Sequence, residues 1–148
     1  MGFYLGLDFG TSGARSSVID TTETIVFSDK IDFTTSGNWA QTWRETLFSL
    51  LDRLPENLKG EIEAIAIDGT SSTVLLCDAS GNSIDEPILY NDKRGASVLT
   101  EIEAVAPPSS PVLSASSSLA KLLWWRQALQ NDISSVPPLI RDPDSLFF

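Results

Sequence analysis

Leu5-Gly6-Leu7-Asp8-Phe9-Gly10-Thr11-Ser12-Gly13-Ala14-Arg15 is the stretch on which the fold turns. Phe3 to Phe9 reads as an apolar strand, Tyr4 facing in and Leu5 out, that runs into a lone aspartate. Two glycines and two hydroxyls turn the chain, and a second strand follows from Arg15 to Ile19. A third is expected over Glu23 to Ile31, rich in Val, Ile and Phe. The links, Gly10 to Gly13 and Asp20-Thr21-Thr22, are short, and short links join antiparallel neighbours. A three-stranded meander is therefore predicted.

Working outward, Asn38 is placed to cap a helix whose stripe is Trp39, Trp43, Leu47, Leu50, Leu51 and Leu54, ended by Pro55. Trp39 and Trp43 fit core packing better than a ligand platform. Ile62-Glu63-Ala64-Ile65-Ala66-Ile67-Asp68 has four apolar residues in a row, the pattern of a strand covered on both faces in a parallel sheet. Asp68-Gly69-Thr70-Ser71-Ser72 breaks it, Thr73 to Cys77 reads as another strand, and Asp78 to Asn82 as its turn. Arg94 to Ala106 is of helix length, with Val98, Leu99, Ile102 and Val105 on one side. Pro107-Pro108-Ser109-Ser110-Pro111 must be loop, and Ser118 can cap a last helix. The order predicts an α/β fold: a mixed sheet with an antiparallel N-terminal meander, a helical crossover and flanking helices.

Composition closes most routes to chemistry. The 148 residues contain no histidine, which removes His-based triads and His-ligated metals. The one cysteine, Cys77, lies in an apolar run and reads as a buried structural thiol. With 10 basic and 20 acidic residues the net charge is -10, and no basic cluster interrupts it. Nucleic acid and anionic membranes are disfavoured as partners. Neither a basic n-region nor a long apolar stretch is present, so no secretory signal or membrane span is read and a cytoplasmic location is expected.

What remains is carboxylates, hydroxyls, Lys/Arg and backbone amides. Asp8, at the end of a strand, can hold Mg²⁺ directly or through water. Gly10 and Gly13 would allow positive φ and close approach of phosphate, and Thr11 and Ser12 offer donors to phosphate oxygens. A tight hairpin with a turn-capping Asp would carry the same residues. Asp68-Gly69-Thr70-Ser71-Ser72 repeats the grammar, and strand ends on one edge of an α/β sheet share a cleft. An ordinary turn is the alternative there. In Tyr90-Asn91-Asp92-Lys93-Arg94, Arg94 could clamp a phosphate or pair with a carboxylate, while Asn91 or Asp92 capping a helix is the plainer reading.

Three stretches together resemble the N-terminal part of the FGGY carbohydrate kinases, in the actin-like, ribonuclease H-like ATPase superfamily. They are Gly6 to Gly13, Ile65 to Ser71, and Ile88 to Arg94 followed by Lys121-Leu122-Leu123-Trp124. The first alone would not separate sugar kinases from actin or chaperone ATPases. Tyr90 stands where the family usually has tryptophan. Asp68-Gly69-Thr70-Ser71 replaces a Gly-Gln-Met-His-Gly type segment of xylulose kinases, and with Asn38-Trp39 and Trp43-Arg44 it looks most like a cyanobacterial and plant branch associated with D-ribulose phosphorylation.

The resemblance implies a ribonuclease H-like fold, truncated. Residues 1–130 would be a partial FGGY kinase N-terminal domain, and 131–148 an irregular or aberrant tail. It implies ATP as substrate with Mg²⁺, and a ketopentose, D-ribulose, as acceptor. Asp8 would be the catalytic and metal-organising carboxylate and would also meet the sugar. Gly10, Thr11, Ser12 and Gly13 would hold phosphate, and Ser71 and Ser72 would contact the sugar. The family's general-base aspartate and adenosine site lie later in a much longer polypeptide, so the chain alone is expected to be inactive. The alternatives are a non-catalytic sugar- or nucleotide-binding half-domain, or one half of a split kinase with a separately encoded C-terminal half.

Overall fold

A computed structural model describes residues 2–34 and 37–131, with the side chains of 130 and 131 left aside. The tail expected at 131–148 lies, from residue 132 onward, outside the described residues. The chain divides into two units, Met1–Thr70 and Ser71–Phe148.

The first unit contains strands β1 (Phe3–Phe9), β2 (Gly13–Asp20) and β3 (Ile25–Asp32), helix α1 (Trp39–Asp52), the single-turn helix α2 (Glu56–Lys59) and strand β4 (Ile62–Gly69). The sheet order is β3-β2-β1-β4. The expected meander is present, β1 and β2, then β2 and β3, pairing antiparallel. The helical crossover brings β4 parallel to β1, which makes the sheet mixed.

Turn chemistry sets these junctions. Asp20 accepts hydrogen bonds from the amides of Thr22 (2.8 Å) and Thr24 (3.0 Å) and from the Thr22 hydroxyl (2.7 Å). That moves the start of β3 to Ile25, two residues later than the sequence predicts, because Glu23 takes a left-handed φ of 64° in the turn. Gly13 is required for space, since a Cβ there would sit 2.5 Å from the Ile31 carbonyl oxygen on β3. The left-handed φ expected of Gly10 and Gly13 is not found, the positive-φ glycines being Gly37 and Gly81.

Asn38 caps α1 as expected, its Oδ1 accepting from the Gln41 amide at 3.0 Å. The helix ends at Asp52 with Arg53 as its C-cap, before Pro55, which instead precedes α2. The core joins Leu5, Leu7, Ala14 and Val18 of the sheet to Leu50, Leu54 and Leu58. Each leucine so buried contributes roughly 1.5–3 kcal/mol relative to exposure. The facing of β1 is the reverse of the sequence expectation: Leu5 and Leu7 point into the core and Tyr4 is exposed. The reason lies in the partners. Leu5 is paired with Val18 and Phe9 with Ala14, and all share the face that α1 covers. Tyr4 instead donates to Glu63 Oε2 at 3.2 Å on the opposite face. Ser16, buried beside Leu7, has a hydroxyl without a partner among the described residues.

Phe33, Trp39 and Trp43 continue an aromatic row from Phe9, with successive ring centroids 6.5, 5.9 and 5.8 Å apart. Phe9 and Phe33 pack on the core, while Trp39 and Trp43, half-buried, extend the row beyond it.

The second unit has less regular secondary structure among its described residues. Thr73 to Cys77 is not a strand. Val74 makes an isolated antiparallel bridge with Ile88, and Cys77 another with Ser83. Cys77 is exposed, not buried, because with no ladder to enclose it the run lies open. The expected helix from Arg94 is a 3₁₀ segment, Arg94–Val98, followed by helix α3, Leu99–Glu103. Val98 and Ile102 are buried there, but Val105 is 85% exposed. A second 3₁₀ turn, Pro111–Leu113, precedes helix α4, Ser118–Asn131. Its cap is Ser117, one residue before the expected Ser118, whose Oγ accepts from the Ala120 amide at 3.1 Å.

Candidate functional site

In the first unit, β1 and β4 present their C-terminal ends together. Asp8 is the register partner of Asp68, and Phe9 of Gly69. Adjacent strands lie about 4.8 Å apart, so the two carboxylates are neighbours on one face. Asp68 Oδ1 accepts from the Gly69 amide at 2.9 Å. The Thr70 amide and hydroxyl both donate to the Phe9 carbonyl, at 3.0 and 3.3 Å, and pin the two strand ends to each other.

Asp8 is half-exposed and faces Arg15, its partner across β2, at 3.7 Å. Both side chains are well hydrated, and an exposed pair at that distance contributes little to stability. The carboxylate is thus neither buried nor firmly tied. The turn after it is closed by the Gly10 amide donating to the Gly13 carbonyl (3.0 Å) and anchored by the Phe33 amide donating to the Ser12 carbonyl (2.9 Å). Thr11 and Ser12 are exposed at its tip, and among the described residues their hydroxyls have no hydrogen-bond partner.

Mg²⁺ keeps several waters and takes one or two carboxylates alongside phosphate oxygens. A solvent-facing carboxylate with a second beside it fits that demand. Among the described residues no group of three or more acidic, Cys or His side chains gathers as a closed metal cage.

Ser71 and Ser72 belong to the second unit, Ser71 exposed and Ser72 half-buried. Ser72 takes a left-handed φ of 64°. Its carbonyl accepts from Lys121 Nζ at 2.5 Å, and the same ammonium donates to the Leu89 carbonyl at 2.8 Å. Lys121 has no exposed surface. Its pKa is lowered, first by burial, against the opposing pull of Asp92 and with a smaller push from Arg94. One buried cation therefore ties the serine segment to the segment leading into Tyr90. Sequence reasoning noted Lys121 only in a resemblance block and missed this role. The available signal was a lysine directly followed by Leu122, Leu123 and Trp124 on a helix.

Arg94 is engaged. Its Nε and Nη2 donate to Asp92 Oδ2 at 3.1 and 2.8 Å, and its guanidinium lies over the Trp124 ring at 4.6 Å. The Arg94 hydrogen bond holds the Asp92 carboxyl below its ordinary value, and Asp92 raises Arg94 in turn. Of the readings the sequence left open, the structure displays carboxylate pairing, so Arg94 is not simply solvated; Asp92 also accepts from the Arg94 amide at 2.8 Å, although the N-cap position of the 3₁₀ segment is Lys93. Buried Trp125 donates from Nε1 to Asp85 at 2.7 Å.

An α/β unit with this mixed sheet has the actin-like ATPase fold found in its solved structural neighbours. A xyloylose kinase from Brucella ovis superposes with a TM-score of 0.70 at 22% identity, over 87% of this chain and 30% of that one. Among curated proteins, the chain is 27% identical to the xylulose kinase of Escherichia coli over 133 residues, 82% of this chain and 28% of the relative. It is 21% identical to the xylulose kinase of Staphylococcus xylosus over 165 aligned positions, 100% of this chain and 34% of the relative. No family model matches. The chain spans about a third of the length of these two curated relatives. Among the described residues no helix is long and apolar enough to cross a membrane.

Proposed function

We propose that this chain is the N-terminal part of an ATP-dependent ketopentose kinase with D-ribulose as acceptor, and that it does not turn over alone. The observation that carries the reading is the in-register pair Asp8 and Asp68 at neighbouring strand ends, beside a turn with free hydroxyls at Thr11 and Ser12. In this reading Asp8 organises Mg²⁺ and faces the sugar, and Gly10 to Gly13 hold the phosphate. Ser71 and Ser72 contact sugar hydroxyls. Mg²⁺, when bound, neutralises charge on the transferred phosphoryl group. The chain's own part is positional: rigid strand ends fix the carboxylates, and Lys121 fixes the serine segment through the Ser72 carbonyl. Short coverage of the relatives supports inactivity in isolation. It equally supports a separately encoded C-terminal half, or a half-domain that binds sugar or nucleotide without catalysis. D-ribulose as acceptor rests on the resemblance carried by Asp68 to Ser71.

Purified chain with ATP, Mg²⁺ and D-ribulose is expected to form no sugar phosphate, while D-ribulose raises its melting temperature more than D-xylulose does. Phosphorylation that Asp8→Ala abolishes would overturn the inactivity. A larger shift with D-xylulose would overturn the choice of acceptor.

A further inference from the structure

Lys121 is the largest fully buried side chain among the described residues, and its ammonium bonds two backbone carbonyls rather than a carboxylate. An ammonium is costly to take out of water, so a position that needed only bulk would be served by Leu or Met. The two carbonyls belong to segments that run side by side. Val74 and Ile88 exchange backbone hydrogen bonds at 3.0 and 2.9 Å, and the Tyr90 amide donates to the Thr73 hydroxyl at 3.1 Å. Ser72 and Leu89 stand just past that bridge, and their carbonyls converge on Nζ. Two carbonyl oxygens brought to one point repel, and a cation between them reverses the sign. Ser72 holds its φ of 64° there, a conformation that a serine keeps only when its surroundings impose it. The charged groups that act on the ammonium are Asp92 and Arg94, which are paired with each other at 2.8 Å.

We propose that Lys121 is the positioning residue of the acceptor site: its positive charge draws the Ser72 and Leu89 carbonyls together and so holds Ser71 and Ser72 in the one backbone conformation that presents their hydroxyls to a sugar. The proposal rests on the kinase reading above and deepens it. Lys121 has no exposed surface, so it acts through the backbone and touches no sugar. Charge is needed rather than bulk, because a neutral chain of similar length would leave two acceptors facing each other unpaired. Hydroxyls fixed in advance bind a polyol without the cost of ordering them, so the effect of Lys121 falls on affinity. Trp125 provides the contrast. It is buried on the same helix but holds Asp85, at 2.7 Å, and has no bond to the serine segment.

The test titrates the full 148-residue chain with D-ribulose by calorimetry, at a temperature where each variant is folded by circular dichroism. Lys121→Met should weaken binding by about tenfold or more. It should also move the Ser72 Cα and Cβ chemical shifts out of the left-handed range. Trp125→Phe should lower the melting temperature and leave the affinity for D-ribulose at the parent value. Lys121→Met that binds as the parent does, or that keeps the Ser72 shifts, would overturn the proposal. So would Trp125→Phe that weakens binding equally. Should Lys121→Met not fold, the parent chain decides. Burial lowers the pKa of Lys121, while Asp92 is lowered and Arg94 raised, so of these three only the ammonium loses its charge as alkali is added. The Ser72 carbonyl carbon and the affinity for D-ribulose should follow the Lys121 Cε signal in one step, with the Tyr90 ring tracked separately as a titrating neighbour. A Ser72 carbonyl indifferent to that step would overturn the proposal. A parent chain that takes up no D-ribulose contradicts the acceptor reading, and the Ser72 shifts still decide whether the ammonium holds the segment, so the two fail separately.

Discussion

The two edges of the four-stranded sheet are built to opposite rules. At β3 the outward side follows an exposed Val26 with Ser28, Lys30 and Asp32, the inward side includes Asp29 held by Arg53, and the apolar Phe27 and Ile31 pack on the core. At β4 the same sheet ends in alanines and isoleucines that meet nothing comparable. Charges on an edge strand discourage the pairing of another strand, and β3 carries three of them along Asp29 to Asp32 while Ala64 to Ile67 of β4 carries none. The difference teaches that strand register and solvent exposure are set separately. Ile65 and Ile67 are core residues by register and surface residues by accessibility.

The sharpest way to break that comparison is a matched pair of truncations. Leu5 and Ile65 sit side by side on one face, one buried and one half-exposed. In the chain alone, Leu5→Ala should cost about 2–5 kcal/mol in urea unfolding, the usual range for a core leucine. Ile65→Ala should cost within about 0.5 kcal/mol, as an exposed substitution does. Equal costs in the chain alone would erase the distinction between the two positions.

A smaller effect concerns the turn that delivers β3 to its edge. The Thr22 hydroxyl first, and then the Thr24 amide, lower the pKa of Asp20 from its ordinary 3.8. A group with a depressed folded pKa stabilises above its unfolded value, and that stability is lost as pH falls through the folded one. Asp20→Ala should therefore be less stable than the parent at neutral pH and converge with it as pH drops below 3.8, measured by denaturant melts across the acid range. A gap that stays constant to the acid limit would mean the carboxylate charge is not what holds the turn.

Much of the first unit was legible because its signals are local. The Gly-Thr-Ser-Gly turn, the Asp20 turn, the Asn38 cap and the leucine stripe each declare themselves within a few residues. The direction in which β1 faces was not legible, since alternation fixes only that Tyr4 and Leu5 differ. Which of them goes inside is settled by Val18, Ala14 and α1. In the second unit the misreadings share a cause. Thr73 to Cys77 has strand composition but finds only single bridges at Ile88 and Ser83. At Gly95 a Cβ would lie 2.6 Å from the Ala115 carbonyl oxygen and from Ala120 Cβ, a close packing that the helical period of 94–106 does not announce. Nothing local announces the burial of Lys121, which comes from two carbonyls distant in sequence. The Asp8 motif and its echo at Asp68 were visible as text, whereas their pairing came from the parallel register.

The most direct measurement is phosphoryl transfer from ATP to D-ribulose by this chain in complex with the remainder of the kinase, parent against Asp8→Ala. The account predicts turnover by the parent complex and a loss of at least ~10²-fold in the variant, with the melting temperature and circular dichroism of the chain unchanged. An Asp8→Ala complex that assembles in the same way and turns over at the parent rate would contradict it.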